Sequence, residues 1–306
     1  MYKIHCLNNI SKVGLAQLTA DYEITDNIEE ADAVLVRSAN MHEMELPASV
    51  KCVARAGAGV NNIPLDKFAE AGVPVFNTPG ANANAVKELV LAGMLLASRD
   101  IVGGIEWVKA NAEDENIAKS AEKAKKAFAG GEIMGKTLGV IGLGAIGKLV
   151  VAAAEALGMK VVGYDPFLDA EKAAAISPNM TFTTDLKELM AASAYATIHV
   201  PAMDSTKGMI NEEMLAAMPD GAVFLNFSRD TLVNNAAMAQ ALESGKVARY
   251  VTDFATPEVV KMERAIVLPH LGASTAEAED NCAAMAAKEV MAYLERGEKI
   301  HCVNMK

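Results

Sequence analysis

A strand, a glycine-rich corner and a helix follow one another after Thr137, and they constrain the fold more than any other part of the chain. The apolar strand Thr137–Ile141 leads into Gly142-Leu143-Gly144-Ala145-Ile146-Gly147, which has the spacing G-x-G-x-x-G. In a βαβ unit the first glycine permits a tight turn, the second lets the backbone approach a pyrophosphate, and the third lets helix and strand pack closely. The N-terminus of the helix adds unpaired N–H groups that bind anions. The pattern predicts a dinucleotide site at Gly142, Gly144, Ala145, Ile146 and Gly147.

The second strand of this unit runs from Met159 to Tyr164 and ends in Asp165. An acidic residue at that position is placed to accept hydrogen bonds from the ribose of a bound dinucleotide. A 2′-phosphate would bring a second anion next to this carboxylate in a partly dry site, which is unfavourable. Pro166 and Phe167 follow, so no arginine is adjacent to reverse the preference. The expected cofactor is therefore NAD and not NADP.

The composition excludes several classes of protein. With 306 residues the chain is long enough for two domains, each with its own core. The formal net charge of −11 argues against a nucleic-acid partner, because no basic stripe offsets it. No apolar run reaches the roughly 18 residues of a membrane helix, and the first residues do not form a signal peptide. We therefore expect a cytoplasmic protein without a membrane partner.

The cysteines and histidines do not indicate a metal site. The four cysteines lie far apart and include no C-x-x-C pair, so they are expected to be reduced thiols. His-Cys pairs occur at residues 5–6 and 301–302, but they lack the tighter spacing of metal ligands. No metal is expected.

Short apolar strands alternate with helices in two parts of the chain, which is typical of parallel sheets. In residues 1–80 the predicted strands are Tyr2–Leu7, Ala33–Arg37, Cys52–Ala56 and Val73–Asn77. After Asp165 they are Met180–Thr183, Tyr195–Val200, Ala222–Phe227, Arg249–Phe254 and Ala265–Pro269. The predicted fold class is α/β, with two doubly wound Rossmann-like domains.

The last helix predicts a discontinuous first domain. It opens with Ser274-Thr275-Ala276-Glu277, a capping-box pattern, and runs to about Arg296, a length that suggests a return to the first domain. The substrate-binding domain is therefore expected to contain residues 1–95 and 275–306. The NAD-binding domain is expected to span residues 96–274.

A long helical stretch is expected from about Asn84 to Lys109, where apolar residues recur at helical spacing. Residues 110–130 are rich in Ala, Glu and Lys, with Glu122 and Lys126 at an i,i+4 spacing. This composition favours a solvated helical insertion. A dimer contact near Trp107 is the alternative.

Three polar side chains follow strands of the second domain, at the edge where ligands of open α/β sheets bind. They are Arg229, Glu258 and His270. An arginine can hold a carboxylate through two hydrogen bonds, a histidine can exchange a proton near neutral pH, and a glutamate can orient it. Together they suit hydride transfer between NAD and a 2-hydroxy acid. His199 ends another strand at the same edge and is a rival base, and each of these residues taken alone could be ordinary solvated surface.

The chain resembles the D-isomer-specific 2-hydroxyacid dehydrogenases, and within them the D-3-phosphoglycerate dehydrogenases. The resemblance extends in the same order over almost the whole chain. The matching segments are Val36-Arg37-Ser38, Arg55-Ala56-Gly57-Ala58-Gly59-Val60, Asn77-Thr78-Pro79, Gly135-Lys136-Thr137-Leu138-Gly139, the glycine hexad, Gly163-Tyr164-Asp165-Pro166, His199-Val200-Pro201, Asn226-Phe227-Ser228-Arg229 and Pro269-His270-Leu271-Gly272-Ala273-Ser274-Thr275.

The resemblance implies roles for these residues. It implies a catalytic triad of Arg229, Glu258 and His270, and it decides against His199 as the base. It also implies a homodimer formed through the cofactor domain. The phosphate of the substrate is expected at Arg37 and Arg55, its carboxylate at the amides of Gly57, Ala58 and Gly59, and the nicotinamide or ribose near Val200, Pro201, Phe227 and Asp253.

The sequence departs from the family pattern at two places. Asp230 stands where the family usually has glycine after the catalytic arginine, and the segment between Glu258 and His270 is short. The chain also stops after the catalytic core, so the regulatory domains of some relatives are expected to be absent. The alternatives in function are a glyoxylate, hydroxypyruvate or D-lactate type dehydrogenase, and, from another class, an NAD-binding co-repressor that acts as an interaction module.

Overall fold

The structure is a computed structural model that describes residues 1–305. The chain divides into two compact units. The first contains Met1–Ala85 and the chain from Ala273 onward, and the second contains Val86–Gly272. The sequence places the first border near residue 95. In the structure the border lies inside a helix, Ala83–Ser98, because most of that helix packs into the core of the second unit.

Each unit is built on a parallel sheet. The first sheet contains β1 (Tyr2–Cys6), β2 (Tyr22–Thr25), β3 (Ala33–Val36), β4 (Cys52–Arg55) and β5 (Val75–Phe76), in the order β2-β1-β3-β4-β5. The second contains β6 (Thr137–Ile141), β7 (Lys160–Tyr164), β8 (Thr181–Thr183), β9 (Tyr195–Ile198), β10 (Ala222–Asn226), β11 (Val247–Thr252) and β12 (Ala265–Val267), in the order β12-β11-β10-β9-β6-β7-β8. The sequence pattern does not predict β2, since only Tyr22 of its four residues is buried.

The helices connect the strands as in other α/β folds. They are α1 (Lys12–Leu15), α2 (Leu65–Glu70), α3 (Ala83–Ser98), α4 (Ile101–Ala110), α5 (Ile117–Ala124), α6 (Ala145–Ala156), α7 (Ala170–Ile176), α8 (Leu186–Ala192), α9 (Glu212–Ala217), α10 (Asn235–Glu243) and α11 (Ala276–Arg296). Single 3₁₀ turns occur at Ile28–Glu30, Lys125–Phe128, Asp230–Leu232 and Val259–Lys261. The α/β fold class predicted from the sequence is confirmed.

Both faces of the first sheet are covered, as doubly wound sheets require. On one face Leu35 and Ala54 lie in a cluster with Ala283 and Val290 of α11. On the other face alternate residues of the same strands pack in a second cluster with Phe68 of α2. The second sheet is covered in the same way, by α3 and α6 on one face and by α8, α9 and α10 on the other.

Two local predictions need correction. The stretch from Asn84 to Lys109 is not one helix, because Asp100 ends the run by capping a new helix: its carboxylate accepts a hydrogen bond from the Gly103 amide at 3.0 Å. The N-cap of α11 is Thr275, whose hydroxyl accepts from the Ala278 amide at 3.1 Å, one residue later than the capping-box pattern indicates. In both cases a side chain at the helix start, which sequence periodicity does not show, decides the boundary.

No helix in residues 1–305 combines the length and the apolar character that crossing a membrane requires.

Gly14→Ala should destabilise the protein, although alanine favours a helix over glycine by about 1 kcal/mol. A methyl group at Gly14 would overlap the side chain and backbone of Ala283 on α11, and such overpacking costs roughly 1–3 kcal/mol. Thermal unfolding should show a lower Tm. The matched control is Gly104→Ala in α4, whose new methyl group would lie 3.6 Å from Phe128, an ordinary contact; its Tm should hold or rise. An unchanged Tm for Gly14→Ala would contradict this packing.

Candidate active site

The glycine loop after β6 has the geometry that a dinucleotide requires. Gly142 has a φ of +90°, which glycine adopts readily, and its amide donates to the Tyr164 carbonyl at 2.8 Å. A Cβ at Gly142 would lie 2.7 Å from the His199 carbonyl oxygen. A Cβ at Gly147 would overlap the Gly142 carbonyl, whereas one at Gly144 would meet open space. Gly142 therefore permits the turn, Gly147 permits the close packing of the helix, and Gly144 leaves space for a ligand to approach the backbone.

The N-terminus of α6 offers free amide donors. Gly144 is the N-cap and has no side chain that could cap the first turn. The Lys148 amide closes the first turn by donating to the Gly144 carbonyl at 3.1 Å. The amides of Ala145, Ile146 and Gly147 precede that bond and belong to the unsatisfied first turn of a helix. This arrangement fits the pyrophosphate of a dinucleotide.

Asp165 lies at the end of β7 and is tied to the glycine loop. One carboxylate oxygen accepts from the Leu143 amide and the other from the Phe167 amide, both at 3.0 Å. Each oxygen keeps a second lone pair for another donor. The carboxylate is half-buried and is thus held beside the loop where a ribose would lie in a βαβ dinucleotide site. The residues present fit NAD.

The remaining predicted cofactor neighbours differ in exposure. Val200 lies against the glycine loop, with its side chain near Gly142, and Pro201 is exposed at the same strand end. Phe227 is 5% exposed and packs in the core against Gly93. A cofactor contact from Phe227 would therefore come from its backbone and not from its ring.

Arg229 follows β10 in a turn that is held by a buried amide. Asn226 is fully buried, and its side chain donates to the Arg229 carbonyl at 2.8 Å and accepts from the Ser228 amide at 3.2 Å. The Ser228 hydroxyl donates to the Val200 carbonyl at 2.6 Å and so links this turn to the end of β9. Arg229 itself is half-buried. Asp230 beside it is exposed and starts the 3₁₀ turn.

The loop that carries His270 is anchored by Asp253. This aspartate is 1% exposed, and its carboxylate accepts from the amides of Leu271 and Gly272, both at 2.7 Å. His270 is exposed, has a φ of 59°, and stands edge-on to Phe254 with ring centroids 5.2 Å apart. The sequence predicts Asp253 as a neighbour of the cofactor. In the structure its carboxylate binds the backbone amides that follow His270.

Glu258 has other partners in this structure than the sequence predicts. It is exposed, and the pKa of its carboxyl is lowered chiefly by a hydrogen bond from its own backbone amide, then by the Thr256 hydroxyl and by the charge of Lys261. It lines a depression together with Lys261 and residues of α10. Its pairing with His270 stays a prediction.

The environment of His199 disfavours its protonated form. Burial lowers its pKa to about 3, so it is neutral near pH 7 and a poor proton acceptor. Its Nε2 atom lies 3.1 Å from the Thr197 hydroxyl, and its Nδ1 atom is buried without a hydrogen-bond partner. The low pKa agrees with the choice of His270 over His199.

In the first unit, the register of β3 and β4 brings two arginines to one edge. Val36 pairs with Arg55, so Arg37 follows β3 beside the end of β4. Arg55 donates from Nε to the Arg37 carbonyl at 3.1 Å. The Asn8 side chain holds the turn after β3, because its carbonyl oxygen accepts from the amides of Arg37, Ser38 and Ala39 at 3.1, 3.1 and 2.9 Å. Sequence reasoning missed Asn8, although a polar residue just after β1 is a usable signal.

The loop Gly57–Gly59 adds backbone donors to this edge. A Cβ at Gly57 would collide with the guanidinium group of Arg55, so the arginine lies directly against the loop. The Gly57 amide is used within the loop, since it donates to the Arg55 carbonyl at 2.8 Å. The amides of Ala58 and Gly59 make no hydrogen bond to residues 1–305. Two of the three predicted amide donors are thus open to an anion.

Glu279 is a further residue that sequence reasoning missed at this edge. It lies in the first turn of α11, and its carboxylate accepts from Nη2 of Arg37 at 2.5 Å. Both side chains are 41% exposed. In the sequence Glu279 follows a capping pattern by two residues, which indicates only that a helix starts there. Its ion pair with Arg37 is apparent only in the folded unit.

Comparison with known proteins identifies the family. Residues 91–272 match the model of the NAD-binding domain of the D-isomer specific 2-hydroxyacid dehydrogenases. The chain belongs to this family. The match confirms the family assignment made from the sequence motifs, and it confirms the expected NAD-binding domain around the glycine loop.

Named relatives are similar over most of this chain. A D-3-phosphoglycerate dehydrogenase of Methanocaldococcus jannaschii is 34% identical over 304 residues, covering 96% of this chain and 56% of that protein. One of Mycobacterium bovis is 38% identical over 272 residues, covering 86% of this chain and 49% of that protein. The NAD⁺-bound 3-phosphoglycerate dehydrogenase of Entamoeba histolytica superposes with a TM-score of 0.79 at 26% identity, covering 99% of this chain and 98% of that one. The chain spans about half the length of the curated relatives it matches.

His199→Gln should make folding stability less dependent on pH. The folded-state pKa of His199 is about 3, whereas an unfolded histidine has a pKa near 6.5. Below about pH 6.5 the unfolded chain therefore binds the extra proton, and the native protein loses up to about 1.4 kcal/mol per pH unit as the pH falls. Denaturant unfolding between about pH 7 and pH 4 should show a shallower loss in the variant than in the parent. Equal slopes would contradict a neutral His199 in the folded state, and loss of turnover in the variant would favour His199 as the base.

Proposed function

We propose that the chain is the catalytic part of an NAD-dependent D-3-phosphoglycerate dehydrogenase, which oxidises the 2-hydroxyl of D-3-phosphoglycerate to give 3-phosphohydroxypyruvate. The observation that carries the proposal is the cationic edge of the first unit. Arg37 and Arg55 lie there side by side, next to the open amides of Ala58 and Gly59. The names of the relatives support the same substrate.

A doubly anionic substrate explains why two arginines are gathered on an acidic chain. With a formal net charge of −11 the overall field repels anions. A local cluster of guanidinium groups and backbone amides must therefore supply the binding energy, and guanidinium matches phosphate geometry well. In the proposed function Arg37 and Arg55 bind the phosphate, and the amides of the Gly57–Gly59 loop help bind the carboxylate.

The second unit supplies the reacting groups. Arg229 binds the substrate carboxylate and polarises the 2-oxo oxygen, which its fixed positive charge favours. His270 takes the proton of the 2-hydroxyl during oxidation and returns it during reduction. Bound NAD supplies the hydride acceptor. Asp165 accepts from the ribose hydroxyls and disfavours a 2′-phosphate, so the enzyme uses NAD in preference to NADP.

An apolar helix face favours the expected homodimer through the cofactor unit. No residue of α4 is buried. Ile101, Val102, Ile105 and Val108 are 37–51% exposed on this ten-residue helix. An unburied helix of this composition gains stability when a second surface covers it. The dimer contact near Trp107, which lies on α4, is thus retained as part of the proposal.

Arg37→Ala should lower kcat/KM for 3-phosphoglycerate by roughly ten- to a hundredfold, because a charge-assisted contact is worth on the order of 1.5–3 kcal/mol. Turnover of hydroxypyruvate, which lacks the phosphate, should change little. Lys51→Ala is the matched control: it also removes a cation of the first unit, one paired with Asp32 instead. It should leave both substrates unaffected.

A substrate panel run in both directions separates the alternatives. Equal losses on both substrates in Arg37→Ala would mean that Arg37 holds the fold or the carboxylate, and a glyoxylate or hydroxypyruvate type reductase would then be favoured. No change in NADH absorbance with any 2-hydroxy acid or 2-oxo acid would favour an NAD-binding interaction module.

Glu258→Gln tests the pairing with His270 that the sequence predicts. Unchanged pH profiles in both directions would agree instead with the partners that the structure gives this carboxylate, Thr256 and the nearby Lys261. A carboxylate paired with His270 would stabilise the imidazolium and raise its pKa. Since oxidation needs the neutral imidazole, losing such a partner would move the acidic limb of the oxidation profile to lower pH. That shift, measured as kcat/KM against pH, would establish the pairing predicted from the sequence.

A further inference from the structure

A carboxylate already occupies part of the cationic edge of the first unit. Glu279 accepts a hydrogen bond from Nη2 of Arg37 at 2.5 Å. The next acidic residue, Asp280, does not share this role, because its carboxylate accepts from the Ser11 hydroxyl. Of the two acids in the first turn of α11, Glu277 and Glu279, it is Glu279 that is paired with Arg37.

The charges of this edge lie close together. Burial raises the pKa of the Cys282 thiol on α11; a hydrogen bond with Thr78 and then the charges of Arg55 and Arg37 oppose that rise, and the charge of Glu279 adds to it. All three charged groups, Arg37, Arg55 and Glu279, are thus close enough to influence the same thiol. Glu279 sets one negative charge against the charges of Arg37 and Arg55, which makes this edge a weaker match for a phosphate dianion.

We infer that Glu279 is a specificity-determining residue, whose negative charge weakens the binding of the substrate phosphate at Arg37 and Arg55. The inference rests on the proposed function, because it takes these arginines as the phosphate ligands. A carboxylate hydrogen-bonded to Arg37 stands near the site of the phosphate, where like charges repel each other. The cost falls on phosphorylated substrates, so Glu279 sets how strongly they are preferred over substrates without a phosphate.

The charge of Glu279 can be separated from its hydrogen bond. Only one N–H of the Arg37 guanidinium is given to Glu279, and guanidinium has five donors. A glutamine at this position keeps an oxygen that accepts from Nη2 and removes the negative charge. Glu279→Gln therefore tests repulsion while the orientation of Arg37 is retained. Glu277→Gln is the matched control, because Glu277 is an exposed acid in the same helical turn.

The experiment measures the Kd of 3-phosphoglycerate by titration calorimetry for the parent, Glu279→Gln, Glu277→Gln and Arg37→Ala, with inorganic phosphate as a second probe. Steady-state kinetics with hydroxypyruvate accompany it. We expect Glu279→Gln to bind 3-phosphoglycerate about three- to tenfold more tightly and to bind phosphate more tightly as well. Its kcat/KM for hydroxypyruvate should stay at the parent value, and Glu277→Gln should match the parent throughout.

The failures are distinguishable. If Arg37→Ala weakens 3-phosphoglycerate binding but Glu279→Gln leaves it unchanged or weaker, the inference about Glu279 is overturned and the proposed function stands. If Arg37→Ala leaves the Kd of 3-phosphoglycerate unchanged, the phosphate assignment fails, and the inference fails with it. Equal changes for both substrates in Glu279→Gln would show a structural effect and also overturn the inference.

Discussion

The parallel register of the strands is the constraint on which each unit depends. In the seven-stranded sheet Ile141 pairs with Tyr164 on one side and with Ile198 on the other. The glycine loop, Asp165 and His199 therefore leave the sheet at the same edge. A slip of one residue would turn every buried side chain of a strand to the opposite face. The register that buries the core thus also decides where the functional loops begin.

Buried polar side chains then hold those loops in place. Asn226 fixes the turn that carries Arg229, and Asp253 binds the two amides that follow His270. Neither polar side chain is exposed by more than 1%. A buried polar group without a partner costs about 1–3 kcal/mol, so each loop and its buried partner stabilise one another. The loops that carry the two groups proposed for the chemistry, Arg229 and His270, are thus held by buried side chains of the neighbouring strand ends.

The first unit shows how local charge can oppose the charge of a whole protein. Surface charges are screened beyond about 8 Å at physiological ionic strength, so the acidic surface matters less to a bound anion than the groups that touch it. Arg37 and Arg55 provide that local charge, and the Ala58 and Gly59 amides extend it without adding titratable groups. Glu279 on α11 reduces this local positive charge through its ion pair with Arg37.

The sequence by itself determined the features that depend on neighbours along the chain. The glycine spacing and Asp165 indicated the dinucleotide site, the alternation of strands and helices indicated the α/β class, and the ordered motifs indicated the family. Turn geometry and strand periodicity are local, so their patterns are readable without the fold. The edge strand β2 was not predicted, because too few of its residues are buried to produce a recognisable strand pattern in the sequence.

Only the tertiary structure decided which distant residues meet. Arg37 and Glu279 are 242 positions apart, and their pairing follows from the packing of α11 on the first sheet. Glu258 keeps the spacing expected of a catalytic acid, and its neighbours in the fold, Thr256 and Lys261, could not be read from that spacing. The role of Asp253 likewise depends on where the loop after β12 returns. Residue types and spacing name the candidates, but partners across the fold are chosen by packing and by the need to satisfy buried polar groups.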